Sequence, residues 1–215
     1  MVAILMALLF FAPHEDALAQ SRVDVVSGVQ IKSSIIRMLT QTEGIVCSDQ
    51  GGGYYFSYVD FTTMQEKQIP VTGFTVRDFE IYNGRYVFFC GNLGGVGAVG
   101  WFDINDLIAG TGLYYSCWIM PGNCNIIYLD LHKMEVFDNG YDIHVVAVTQ
   151  NTVSGYPNRN RGVVDVLFSM GGVPMPTGVS MRYQSGGDDL FEDIAVTENY
   201  VVTMGWKWMC MTARE

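Results

Sequence analysis

The chain has 215 residues, 49% of them hydrophobic and 16% charged, with a mean hydropathy of +0.20, a composition that excludes an intrinsically disordered tail or a charged linker. Glycine (24), tyrosine (12) and phenylalanine (12) are plentiful and proline (6) is scarce, a balance that favours strands and turns over helices. The net charge of −10 argues against a nucleic-acid partner, because affinity for a phosphate backbone comes largely from Lys and Arg.

Residues 1–12 form an unbroken apolar run, well short of the roughly 20 residues that cross a bilayer as a helix. Pro13 ends the run, His14, Glu15 and Asp16 follow, and Ala17-Leu18-Ala19 supplies the small-x-small pattern that a signal peptidase admits. A signal peptide over 1–19, cleaved after Ala19, is therefore expected, although no Lys or Arg precedes Arg22. Residues 20–215 are then one exported domain, periplasmic, cell-surface or secreted, with no integral membrane segment after processing.

Downstream, a strand–turn–strand unit recurs. It reads DFEIYNGRYVFFCG at 78–91, KMEVFDNGYDIHVVAVT at 133–149 and DIAVTENYVVTMG at 193–205. Aligning Ile81, Val136 and Val196 gives a repeat of about 55–60 residues. Asn83-Gly84 and Asp138-Asn139-Gly140 supply the positive-φ chemistry of tight hairpins. A further strand recurs at 54–61, 97–104 and 162–169, and a weaker first copy of the unit lies at 35–48. Asp103, with Asn105 and Asp106, is predicted to cap a single helical turn at 106–109. The units run at about 31–73, 74–128 and 129–188, with a partial fourth at 189–215 that stops after its second strand.

Tyr86-Val87-Phe88-Phe89 and Val145-Val146-Ala147-Val148 are apolar on consecutive residues, where a sheet with one wet face would alternate. Both faces of these sheets must be covered. Small antiparallel sheets that cover one another in this way describe the blades of a β-propeller. The blade-like ending Trp101-Phe102-Asp103-Ile104-Asn105-Asp106, followed by a glycine-rich turn, resembles the hydrophobic-Asp ending of many propeller repeats. The resemblance covers about residues 31–205 as a pattern and is to the broad β-propeller class. The Gly-His and Trp-Asp dipeptides of WD repeats and the kelch double glycine are missing. The expected fold is all-β, with antiparallel blades in an incomplete ring of about 3.5–4, and a β-sandwich is the alternative. The ring either closes through a strand at 22–31 or is part of a larger toroid. The second is preferred, because the tail from Lys207 to Glu215 shows no turn leading to a third strand.

Chemistry-bearing motifs are few. Five cysteines are present; Cys47 and Cys90 sit in apolar runs and read as small hydrophobes, while Cys117 and Cys124 flank Pro121-Gly122-Asn123 and could close a hairpin. His132 and His144 are expected to neighbour each other across a hairpin in a structural role. No Gly-x-Ser-x-Gly motif, no His-x-x-x-His pair and no phosphate-cradling loop is legible, so neither a metal nor a cofactor is implied.

Glu80 and Glu135 occupy equivalent positions in neighbouring units, where they could ring one mouth of a channel. They are the candidate catalytic carboxylates, with a solvated face as the ordinary alternative. Trp101, Trp118 and Tyr114 are the candidate ligand-stacking residues, with core packing as the ordinary alternative. The sequence points first to an exported binding or interaction module for an unknown glycan or protein. The second reading is a carbohydrate-active hydrolase or lyase using carboxylates at one mouth of the ring. The third is a fragment of a longer propeller with no activity of its own.

Overall fold

The structure, a computed structural model, describes residues 34–51, 53–111, 114–118, 130–150, 162–184, 190–197, 199–206 and 210–213. The expected signal peptide at 1–19 and the strand at 22–31 lie outside the described residues. Fifteen strands and one short helix make the described chain all-β, arranged as four separate antiparallel sheets. The first sheet is β1 (Ser34–Met38), β2 (Glu43–Asp49), β3 (Tyr54–Asp60) and β4 (Gln65–Val71). The second is β5 (Phe74–Tyr82), β6 (Tyr86–Leu93), β7 (Val96–Asp103) and β8 (Tyr115–Trp118), with α1 (Ile104–Ala109) between its last two strands. The third is β9 (Asp130–Asp138), β10 (Asp142–Gln150), β11 (Gly162–Ser169) and β12 (Pro176–Gln184). The fourth is β13 (Leu190–Val196), β14 (Tyr200–Trp206) and β15 (Cys210–Ala213). Each sheet is a meander in sequence order.

The turns follow from local chemistry. Asn83 and Gly84 both have positive φ (50° and 62°), which matches the right-handed twist of the flanking strands, and Arg85 N closes the turn on Tyr82 O. The helix is capped by Asp103, whose carboxylate accepts from Asn105 N, and it ends on Gly110 in the left-handed region. It therefore begins at Ile104, two residues before the expected single turn.

Consecutive apolar residues are explained by coverage from two sides. In β6, Val87 and Phe89 join a core with the first sheet, while Phe88 and Cys90 join a core with the third. In β10, Ile143, Val145 and Ala147 pack toward the second sheet, and Val146 and Val148 toward the fourth. Aromatic rings fill these layers. Phe56 lies 5.3 Å from Phe79, 5.0 Å from Phe89 and 5.1 Å from Phe102, and Phe168 lies 5.1 Å from Phe88 and 4.9 Å from Trp101. Each such ring, fully buried, contributes about 1.5–3 kcal/mol. Cys47 and Cys90 are free and buried in these layers, and burial pushes both thiols above their ordinary range. Cys117 lies in β8, and Cys124 is outside the described residues.

The first strand of three sheets carries one extra residue. The register slips at Arg77 in β5, at His132 in β9 and at Glu192 in β13. The intervals between these bulges are the same as those between Ile81, Val136 and Val196. A bulge bends its strand and re-aims the side chains beyond it.

Two expectations are corrected. The fourth sheet has a third strand, β15, paired from Thr203↔Cys210 to Tyr200↔Ala213. The sequence signal for it is weak, because 207–209 read Lys-Trp-Met and contain none of the usual turn formers. His132 and His144 do not face each other, because His144 lies opposite Phe137 while His132 is the bulge residue near the far end of the same ladder.

Gly100 tests the packing. It lies opposite Phe89, and a Cβ built there would come within 2.0 Å of the Phe89 ring, which is enclosed by Phe56, Phe74 and Phe102. Gly100→Ala is expected to lower stability by about 2–3 kcal/mol in urea unfolding. Gly94→Ala, whose Cβ meets nothing within 4 Å, is expected to cost only about 1 kcal/mol of left-handed strain. Equal effects of the two substitutions would contradict this packing.

Candidate functional site

The first strands of successive sheets pack on one another, β1 on β5, β5 on β9 and β9 on β13. Charged side chains just past the bulges therefore meet. Arg37 of β1 places Nη2 3.2 Å from Asp78 Oδ1 and 2.8 Å from Glu80 Oε1, and its Nε donates to the same Glu80 oxygen at 3.0 Å. From β9, Lys133 Nζ lies 3.6 Å from Asp78 Oδ2, and Met134 N donates to that oxygen at 3.3 Å. Asp78 also accepts from Phe79 N. This carboxylate, 3% exposed, thus links strands of the first three sheets. The bulge residue Arg77 turns the other way and pairs with Asp130, with Nη2 to Oδ2 at 2.8 Å.

Glu135 completes the group. Burial pushes its carboxyl up to about 7; the negative charges of Glu80, Asp78 and Asp193 push in the same direction, and Arg37 opposes them. The two candidate carboxylates are thus brought together, Glu80 held by Arg37 and Glu135 close enough for their charges to interact. The cluster presents acidic groups beside two cations, and its proton-holding carboxyl can donate as well as accept. Among the described residues, no group of three or more His, Cys, Asp or Glu is placed to hold a metal ion.

The aromatic candidates lie elsewhere. Trp101 is 3% exposed and packs on Phe168 between the second and third sheets, with Tyr115 stacked 5.7 Å from it. Tyr114 is partly buried against the core of the first two sheets, and its hydroxyl donates to Thr72 O at 2.9 Å. Trp118 belongs to β8, away from the first strands.

A second polar group is buried in the third sheet. His144 Nδ1 lies 2.9 Å from Asp165 Oδ2, and Arg182 reaches the same oxygen through Nε at 2.8 Å and Nη2 at 2.6 Å. Phe137 stacks on the imidazole at 4.7 Å with 3° between planes. Arg182 reaches this place because it is the extra residue in a bulge of β12. All three side chains are at least nine-tenths buried. Arg37, Lys133 and Arg182 are the polar residues that sequence reasoning missed. The bulge spacing of 55 and 60 residues is the signal that would have grouped Lys133 with Asp78 and Asp193.

No protein-family model and no curated protein sequence matches the chain. Among the described residues, no helix is long and apolar enough to cross a membrane.

The raised carboxyl of Glu135 has a pH signature. Between about pH 4.5 and 7 the folded chain keeps a proton that the unfolded chain releases, so this group's contribution to stability falls as pH rises through that window. Glu135→Gln is expected to flatten this part of the stability profile and to stabilise the protein at pH 8 by on the order of 1 kcal/mol after solvent screening. Profiles of the two proteins that run parallel through the window would contradict the placement of Glu135.

Proposed function

We propose that the chain is an exported β-propeller-type binding module, an incomplete ring of about 3.5–4 blades, with its ligand site at the charged centre of the first strands. The observation that carries this reading is the recurring bulge. It sets Asp78 and Glu80, Lys133 and Glu135, and Asp193 at equivalent places on adjacent strands. Four successive meanders whose first strands pack together suit a ring of blades better than a two-sheet sandwich. Export rests on the apolar run at 1–12 and Ala17-Leu18-Ala19.

The ligand that fits this centre is rich in hydroxyl groups, a glycan in the first instance. Carboxylates accept from sugar hydroxyls, while Arg37, Lys133 and the protonated form of Glu135 donate to them. Stacking on Trp101 plays no part in this reading, since its ring is used in the core.

One observation favours the enzymatic alternative, a glycoside hydrolase or lyase. Glu135 holds its proton to about neutral pH beside Glu80, which is paired with Arg37. Glycoside cleavage needs one carboxyl kept as the acid and its partner ionised.

Calorimetric titration with a panel of neutral oligosaccharides, coupled to analysis of released products, separates the two. The binding reading predicts saturable binding without products, weakened about tenfold by Glu80→Gln or Glu135→Gln. Turnover abolished by either substitution would replace it with the hydrolase or lyase. Binding that ignores both substitutions would move the site away from this centre.

A further inference from the structure

A different surface of the molecule has partner-like character, independently of the charged centre. In a four-stranded meander, the turn between the first two strands and the turn between the last two share one end of the sheet. For the second and third sheets these ends coincide, because β5 and β9 run in the same direction. Arg77 pairs with Asp130 toward one end, and the Tyr82 hydroxyl donates to Asp138 Oδ2 at 2.9 Å toward the other. The Tyr86 hydroxyl also donates to Gly172 O at 3.1 Å, seating the loop between β11 and β12 on the second sheet.

This end exposes large apolar side chains. Tyr141 is 84% exposed and Met175 56%, with Met170 and Val173 in the adjoining loop; Ile108 is also exposed, on α1 toward the first sheet. Pairing of Asp142 with Ser169 brings the Tyr141 turn next to Met170. The charges of the same end are mainly acidic: Asp103, Asp106, Asp138 and Asp142, with Arg85 held by Asp103 at 2.8 Å. Exposed methionines adapt to varied apolar partners, and an exposed tyrosine offers a large, rigid contact.

We infer that this loop end of the second and third sheets docks a polypeptide segment that carries both basic and apolar side chains. Charge selects this occupant. The carboxylates steer a basic partner in and repel an anionic lipid surface, and a second copy of a chain with net charge −10 brings more of the same sign.

The test uses two synthetic peptides on the full chain, one with lysines and leucines on opposite helical faces and one with serines in place of the leucines. Binding is read by fluorescence anisotropy at low and high salt. The lysine–leucine peptide is expected to bind and the lysine–serine peptide to bind far more weakly. Tyr141→Ser with Met175→Ser is expected to weaken the first by about tenfold or more, at an unchanged melting temperature. Asp142→Lys, a surface charge reversal, is expected to weaken it as well and to reduce its salt dependence. Failure of the lysine–leucine peptide to bind, equal binding of both peptides, or equal binding by these variants would overturn the inference. So would apolar-residue-dependent binding to anionic vesicles, or self-association in sedimentation that the double variant abolishes.

Discussion

The fold depends on two central sheets, the second and third, that are apolar on both sides. A sheet such as β5 to β8 cannot stand alone, because Val87 and Phe89 project from one face while Phe88 and Cys90 project from the other. Each face stays dry only if a neighbouring sheet covers it, and the chain supplies those neighbours in sequence order. The second and third sheets are covered twice, by the first and third and by the second and fourth respectively. The fourth sheet, covered from the third alone among the described residues, is dry on one side only. Phe191, Ile194 and Val201 are buried against the third sheet, while Ala195 and Met204 are exposed.

Stacking of this kind forces the first strands together, and their charges with them. Asp78 illustrates the consequence. A carboxylate almost wholly removed from water is tolerated because Arg37 and Lys133 of two other sheets lie beside it and two backbone amides donate to it. Glu135 has less support, and its carboxyl holds a proton to about neutral pH in response. The same arrangement that joins three sheets thus produces a mixed donor and acceptor surface, which is why structure and the proposed binding role meet at one place. The His144–Asp165–Arg182 group shows a more deeply buried version, in which Phe137 stacks on the imidazole and little of the three side chains meets water.

Much of the sheet order was legible in the sequence because its signals are local. Asn83-Gly84 and Asn139-Gly140 require tight turns, and consecutive apolar residues such as Val145 to Val148 require two covers. The pairing of Glu80 with Glu135 as equivalents was also legible, through the repeat spacing. What sequence reasoning missed depends on register. A bulge has no composition of its own, so nothing marked Arg77, His132 or Glu192 as extra residues, and nothing showed that Arg182 would swing onto Asp165. Trp101 and Tyr114 are candidate stacking residues for which core packing is the simpler reading, and burial decides for the core at Trp101. The strand at Cys210–Ala213 escaped notice because it is only four residues long and the Lys-Trp-Met sequence just before it carries no turn signal.

Native-state hydrogen exchange across the four sheets measures the central constraint most directly, since amides report the free energy of the opening that exposes them. Mutual coverage predicts that the amides of β6 and β10 share the highest opening free energy and exchange only on global unfolding, while those of β14 exchange through a smaller, separate opening. Exchange of β6 and β10 through independent local openings, at free energies no higher than β14, would contradict it.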